Sequence, residues 1–217
     1  MKKTRNDLVC KCVAVAMVLG CMNSANAAVV YDNGPINGTA GNAVAISGGW
    51  DTSTSFTLSG ATTFTGAQVA LWATMGETPV SLAWSIGTTA FGSEVASGVA
   101  ALSNTFVMDF IAFPTSYSIY ESQFALSGTA GAGTYWVTLS NGLATAGSLD
   151  WDTNFGPSAS ATRNLGLGIA PINVPSQSFQ VFGDPVAAVP EPASLAIWGL
   201  GGIGMAVAAR RKRKQVA

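Results

Sequence analysis

Apolar and polar residues alternate in short runs through the middle of this chain. Phe56 and Leu58 are separated by polar neighbours, as are Leu82, Trp84 and Ile86, and again Tyr135, Val137 and Leu139. Val69, Leu71 and Ala73 share one phase and Trp72 the other, and Phe179 and Val181 form a late pair. Phe106 to Phe113 and Tyr117 to Tyr120 are further apolar runs. A period of two places successive side chains on opposite faces of a strand, so each run reads as a strand with one face inward. Turn residues separate the runs at Asn33-Gly34-Pro35, Gly48-Gly49, Gly76 to Pro79, Gly131 to Gly133, Asn141-Gly142 and Gly156-Pro157. Strands at this spacing predict an all-β, antiparallel β-sandwich, jelly-roll-like, with about eight to ten strands. No window before Ala193 carries a helical stripe free of glycine and β-branched residues, so no helix is expected there. Gly156 to Gly168 reads as a long loop.

The pattern changes at both ends. Lys2, Lys3 and Arg5 precede an apolar stretch from Cys12 to Met22, and Ala25-Asn26-Ala27 follows it. This is the order of a secretory signal peptide over 1–27, with Ala25 and Ala27 as the small residues a signal peptidase reads and cleavage expected before Ala28. The alternative is a lipoprotein signal, Val18-Leu19-Gly20-Cys21, with Cys21 acylated, although Leu19 is bulky for that position. At the other end, Asp184 to Pro192 is a proline-bearing linker, 193–209 is apolar, and Arg210, Arg211, Lys212, Arg213 and Lys214 open a basic tail over 210–217. As a helix the apolar segment spans roughly 25 Å at about 1.5 Å per residue, slightly short of the ~30 Å hydrocarbon core. A thinner bilayer narrows that difference. Basic residues after the span are costly to translocate, so they are expected to stay cytoplasmic, with everything before the span outside. The expected domain organisation is therefore signal peptide, sandwich over 28–183, linker over 184–192, one transmembrane helix and a basic stop.

Charge narrows the choice of partners. The chain carries 10 Lys and Arg, 11 Asp and Glu and no histidine. Nearly all the bases sit in the two ends, leaving the body with Arg163 alone against nine acids. The body is therefore strongly acidic although the whole chain is formally −1. Nucleic acid is excluded as a partner, because phosphate contacts need Lys and Arg. Anionic polysaccharide should be repelled unless a cation such as calcium bridges the two. The three cysteines, Cys10, Cys12 and Cys21, all lie in the signal region, so the body has neither a disulfide nor a thiolate metal site.

Two chemistries remain for the body. Asp150-Trp151-Asp152-Thr153-Asn154 places oxygens at positions one, three and five, like the start of a calcium loop. It departs from that pattern at Phe155, in the glycine slot, and at Ala161, where a bidentate Glu is needed. Asp32 and Asn33 could complete the set if the first strand lies beside it. The other reading is a strand end with Trp151 packed inward. Asp150 and Asp152 could also share a face as paired acid–base carboxylates. With no His, Lys or Cys nearby to tune them, no enzyme is expected. The second chemistry is aromatic stacking on sugars, for which Trp72 and Trp136 are the candidates because they fall out of phase with their apolar neighbours. Core packing is the competing role of those tryptophans. Thr57, Thr62, Thr63 and Thr65 do not repeat with a period, so they form no regular ice-binding array.

Val189-Pro190-Glu191-Pro192, the short glycine-bearing span and the terminal basic cluster together resemble the PEP-CTERM sorting signal, also described as an ice-binding-protein C-terminal motif. The resemblance implies recognition of Pro190, Glu191 and Pro192 by an exosortase, a membrane-embedded transpeptidase, and transfer of the body to the cell surface or beyond. The prolines fix φ and keep the segment extended, as a processing enzyme requires. The body itself is similar, through Val30 to Pro35, Leu82 to Gly87, Gly133 to Leu139 and Ser178 to Gly183, to an all-β architecture recurrent among such proteins and without an established activity. The expected function is structural or adhesive, in association with exopolysaccharide. A lectin-like glycan-binding module, with or without calcium, is the alternative.

Overall fold

The computed structural model describes residues 28–36, 43–111 and 115–186. The signal peptide and its Ala25 and Ala27, Cys21, the sorting residues Val189 to Pro192, the span at 193–209 and the stop at Arg210 to Lys214 lie outside the described residues. Among the described residues, no helix is long and apolar enough to cross a membrane.

The described chain is all-β. Its strands are β1 (Ala28–Asp32), β2 (Ala43–Ala45), β3 (Trp50–Leu58), β4 (Thr62–Thr74), β5 (Pro79–Gly87), β6 (Ala96–Ala101) and β7 (Ser103–Phe110). They continue with β8 (Tyr117–Ala125), β9 (Thr129–Ala130), β10 (Gly133–Ala144), β11 (Leu149–Asp152), β12 (Ser160–Asn164), β13 (Ile169–Val174) and β14 (Phe179–Pro185). A single 3-10 turn, Leu165–Leu167, links β12 to β13. Fourteen strands exceed the expected eight to ten, because several are short or carry few apolar residues.

Two antiparallel sheets form. The six-stranded sheet runs β13-β12-β3-β10-β5-β6. The eight-stranded sheet is organised on the long β4. One edge of β4 pairs with β14 over Thr62 to Val69 and then with β11 over Leu71 to Ala73. Its other edge pairs with β8 and β9, while β1, β2 and β7 extend the sheet outward. Inward faces meet in one core that includes Phe56, Leu71, Leu82, Ile86, Leu139, Trp151 and Val181. Burial of each large side chain contributes about 1.5–3 kcal/mol. Tyr31 joins the layers, 6.0 Å from Phe56 of the facing sheet, and within the eight-stranded sheet Phe179 lies 5.5 Å from Tyr31 and 5.9 Å from Trp151.

Three local expectations are corrected. Asn141-Gly142 is not a turn. It is a bulge inside β10, where the register against β5 shifts between Ser140 and Leu143. Asn141 takes φ 48° there, a left-handed conformation that Asn tolerates. The loop expected over Gly156 to Gly168 contains β12, whose inward residues Ser160 and Thr162 are hydroxylic rather than apolar. The last strand extends to Pro185, two residues past the boundary expected at 183, with Asp184 opposite Thr63 and Pro185 opposite Thr62.

Candidate functional site

Strand alternation at β11 turns Leu149 and Trp151 into the core and Asp150 and Asp152 to the outer face. The chain then leaves the sheet through Thr153 and Asn154, both buried. Here it meets two segments that are distant in sequence, the end of β1 and the run before β14. Backbone bonds tie the region, from Asn154 N to Ser176 O at 2.7 Å, from Ser178 N to Asp152 O at 3.0 Å and from Asn33 N to Phe179 O at 3.0 Å.

Asn33 is the hub. It is 1% exposed, and both ends of its amide are engaged. Its Nδ2 donates to Gln177 O at 2.6 Å and to Ser176 Oγ at 2.5 Å. Its Oδ1 accepts from Ser158 Oγ at 2.6 Å, Ser158 N at 3.2 Å and Tyr31 OH at 3.3 Å. Asn154 makes the reciprocal contact, with Nδ2 donating to Asn33 O at 2.8 Å and Oδ1 accepting from Gly156 N at 2.9 Å. The approach is so close that a Cβ on Gly156 would stand 2.3 Å from Asn33 O. Buried amides saturated in this way are rigid, since every alternative leaves a polar group unpaired.

This knot forms one wall of an open cleft of about 650 Å3. Asp32, Pro35 and Ile36 line one side, Pro157 and Phe155 the other. Phe155 is 92% exposed, the most exposed large apolar side chain among the described residues. Its neighbours are fixed by the Asn154 and Gly156 bonds, so the ring is held out on a rigid loop rather than a slack one.

The sequence-derived candidates divide. Asn33 and Asn154 are brought together, the arrangement in which the first strand could complete the calcium set, and both amides are already hydrogen-bonded within the protein. Asp152 Oδ1 accepts from Trp72 Nε1 at 2.8 Å. Among the described residues no group of three or more His, Cys, Asp or Glu side chains could hold a metal. Burial pushes the Asp150 carboxyl above its ordinary pKa.

Trp72 points to the outer face as its phase indicated, yet it is 3% exposed. Phe110 and Tyr117 cover it at 5.0 and 5.5 Å, so it offers no stacking platform. Trp136 is half-buried on the outer face of the six-stranded sheet, opposite Ser55 and Gly87. On the same face Arg163 is paired with Asp51 at 2.9 Å and lies 4.3 Å over Phe91. The aromatic residue that sequence reasoning missed is Phe155. An aromatic between Asn154 and Gly156-Pro157 cannot continue a strand, and that local pattern was the available signal.

Comparison with curated proteins and with solved structures finds no match for the chain. Comparison with family models does find one, beyond the last strand. Residues 188–214 match the model described as the PEP-CTERM protein-sorting motif, which makes this chain an exported protein that an exosortase sorts to the cell surface.

Proposed function

We propose that the sorted body is an adhesive component of the cell surface or its matrix, and that it attaches to polysaccharide through the loop cleft around Phe155. The apolar segment at 193–209 holds the precursor in the membrane, after signal peptidase acts, until the exosortase releases the body. The observation that carries this reading is the exposure of Phe155 on a loop fixed by a saturated amide knot. An aromatic ring left in water forgoes about 2 kcal/mol of burial. Rigid presentation of such a ring suits the apolar C–H face of a sugar, which loses little entropy on docking against a preformed platform. Pro35 and Pro157 add stiff, apolar walls. The acidity of the body favours uncharged or cationic polymers over acidic ones.

The test is affinity electrophoresis of the exported protein in gels containing host exopolysaccharide. Retardation is expected for the native protein, and Phe155→Ala should remove most of it, a loss of about tenfold or more in affinity. Trp72→Phe should leave retardation unchanged, because that ring is covered. Equal retardation of the native and Phe155→Ala proteins would overturn the assignment of the cleft.

A further inference from the structure

The outer face of the eight-stranded sheet carries a row of polar side chains at a single register. Asp32 lies opposite Gln180, Gln180 opposite Gln68, Gln68 opposite Gln123, and Gln123 opposite Ser103. The row thus crosses five neighbouring strands, β1, β14, β4, β8 and β7. Directly opposed residues share a face, and strands stand about 4.8 Å apart, so the row is roughly 19 Å long. Two bonds order it. Gln180 Nε2 donates to Asp32 Oδ2 at 2.9 Å, and Gln123 Nε2 donates to Gln68 Oε1 at 2.7 Å. The Gln68 amide nitrogen and the Gln180 and Gln123 amide oxygens have no partner among the described residues.

The Asp32, Gln180 and Gln68 part of the row lines a groove of about 340 Å3 together with Ile36 and Val107; it shares its Asp32 to Ile36 rim with the Phe155 cleft and runs from there over β14, β4 and β8. Glu121 also lines this groove. It stands opposite Ala70, two positions along β4 from Gln68, and is half-buried. It makes no hydrogen bond or ion pair among the described residues. The one base of the body, Arg163, is on the other sheet and already paired with Asp51. The groove therefore combines neutral donors and acceptors in a straight line with negative charge that nothing nearby offsets.

We infer that this groove binds an extended glycan bearing free amino groups, laid along the amide row with an ammonium at Glu121. Amides suit hydroxyl groups because each offers both a donor and an acceptor. The strand spacing is close to the advance of one sugar in an extended chain, so successive sugars meet successive strands. A half-buried carboxylate without a counter-charge gains from a cation more than an exposed one does, because screening is weaker there. The inference rests on the adhesive reading's premise that the body meets glycans, but its deciding residues, Gln68, Gln180 and Glu121, lie outside the Phe155 cleft.

Isothermal titration of the exported protein with a glucosamine hexamer, with cellohexaose and with an acidic uronate hexamer tests it. The glucosamine hexamer should bind about tenfold or more tightly than cellohexaose, more weakly as salt rises, and the uronate should not bind. Glu121→Gln should bring the glucosamine and cellohexaose affinities together, and Gln68→Ala should weaken both. Glu94→Gln removes the same charge from an exposed loop on the other sheet and should change nothing. A fall with Glu94→Gln equal to that with Glu121→Gln would make the attraction diffuse and overturn the site, as would equal binding of the glucosamine hexamer and cellohexaose by the native protein. Phe155→Ala should leave these titrations intact, so failure here is distinguishable from failure of the Phe155 cleft.

Discussion

Two of the clusters of buried polar side chains among the described residues differ in what they join. The amide knot of Asn33 and Asn154 connects the end of β1, the loop after β11 and the run before β14, segments more than a hundred residues apart in part. Backbone bonds tie the run at β14 to the end of β1 and to the loop after β11, but no strand pairing holds Asn33 and Asn154 to each other, and a side chain supplies that direct link. The hydroxyl ladder of Thr52, Thr54, Ser160 and Thr162 lies mainly between β3 and β12, which already pair through their backbones with Thr54 opposite Ser160 and Thr52 opposite Thr162; its one bond elsewhere runs from Thr52 Oγ1 to Ala45 O of β2 at 2.9 Å. A buried polar group can thus specify where a loop goes, or it can fill space in a layer whose geometry is set by other forces. The first kind supports the Phe155 cleft, and the second has no visible consequence for it.

The sharpest break of this comparison is Asn33→Ala. It strips partners from Ser158, Ser176 and the Gln177 carbonyl together, and each orphaned buried group costs about 1–3 kcal/mol. Some of these groups regain water on relaxation, so the expected loss is about 3 kcal/mol, or roughly 6–12 °C in Tm for a protein of this size. Chemical denaturation of the native and variant proteins measures it. A loss below about 1 kcal/mol would make the knot mere filling, like a typical surface change.

Much of this fold was legible because apolar side chains fill most of its interior. Leu82, Trp84 and Ile86, like Val137 and Leu139, all face the core in the phase their alternation indicated. Legibility fails where the interior is polar or small. The inward Ser160 and Thr162 of β12 gave no apolar signal, and β6 is built of Ala, Ser, Gly and one Val that is itself exposed. It also fails where the answer depends on another strand. The phase of Trp72 was readable, but the rings of Phe110 and Tyr117 that cover it belong to other parts of the sheet. The partnership of Asn33 and Asn154 spans 121 positions and has no local periodicity to betray it. The sorting signal was readable for the opposite reason. A linear motif presents its residues in sequence order and needs no tertiary partner.

Asp150 offers an intermediate case, a carboxyl drawn partly out of water with neither knot nor ladder to receive it. Burial raises its pKa above that of an unfolded aspartate, about 3.9. As pH rises through the window between the two values, the unfolded chain gives up its proton first. Native stability therefore falls across that window and stays lower above it. Asp150→Asn removes the charge and with it this slope. The variant's Tm should exceed the native value at pH 7, and the gap should close toward pH 3. Thermal scans across that range check the sign, and a gap that widens on acidification would show that the native carboxylate has a stabilising partner.

The smallest effect is expected in the ladder, and it tests the comparison from the other side. Ser160 Oγ donates to Thr54 Oγ1 at 2.7 Å, both side chains being buried. Thr54→Val leaves the Ser160 hydroxyl without its acceptor at a cost of about 1–2 kcal/mol, and Ser160→Ala leaves the Thr54 oxygen without its donor at a similar cost. Removing both together leaves no orphan and preserves most of the shape. The double variant should therefore lie within about 1 kcal/mol of the native protein, with a favourable coupling of comparable size between the two sites. Urea denaturation of the four proteins closes the cycle. If the double variant instead loses the full sum of the single losses, the hydroxyls place β12 as firmly as the amides place the loops, and the distinction between the two polar cores disappears.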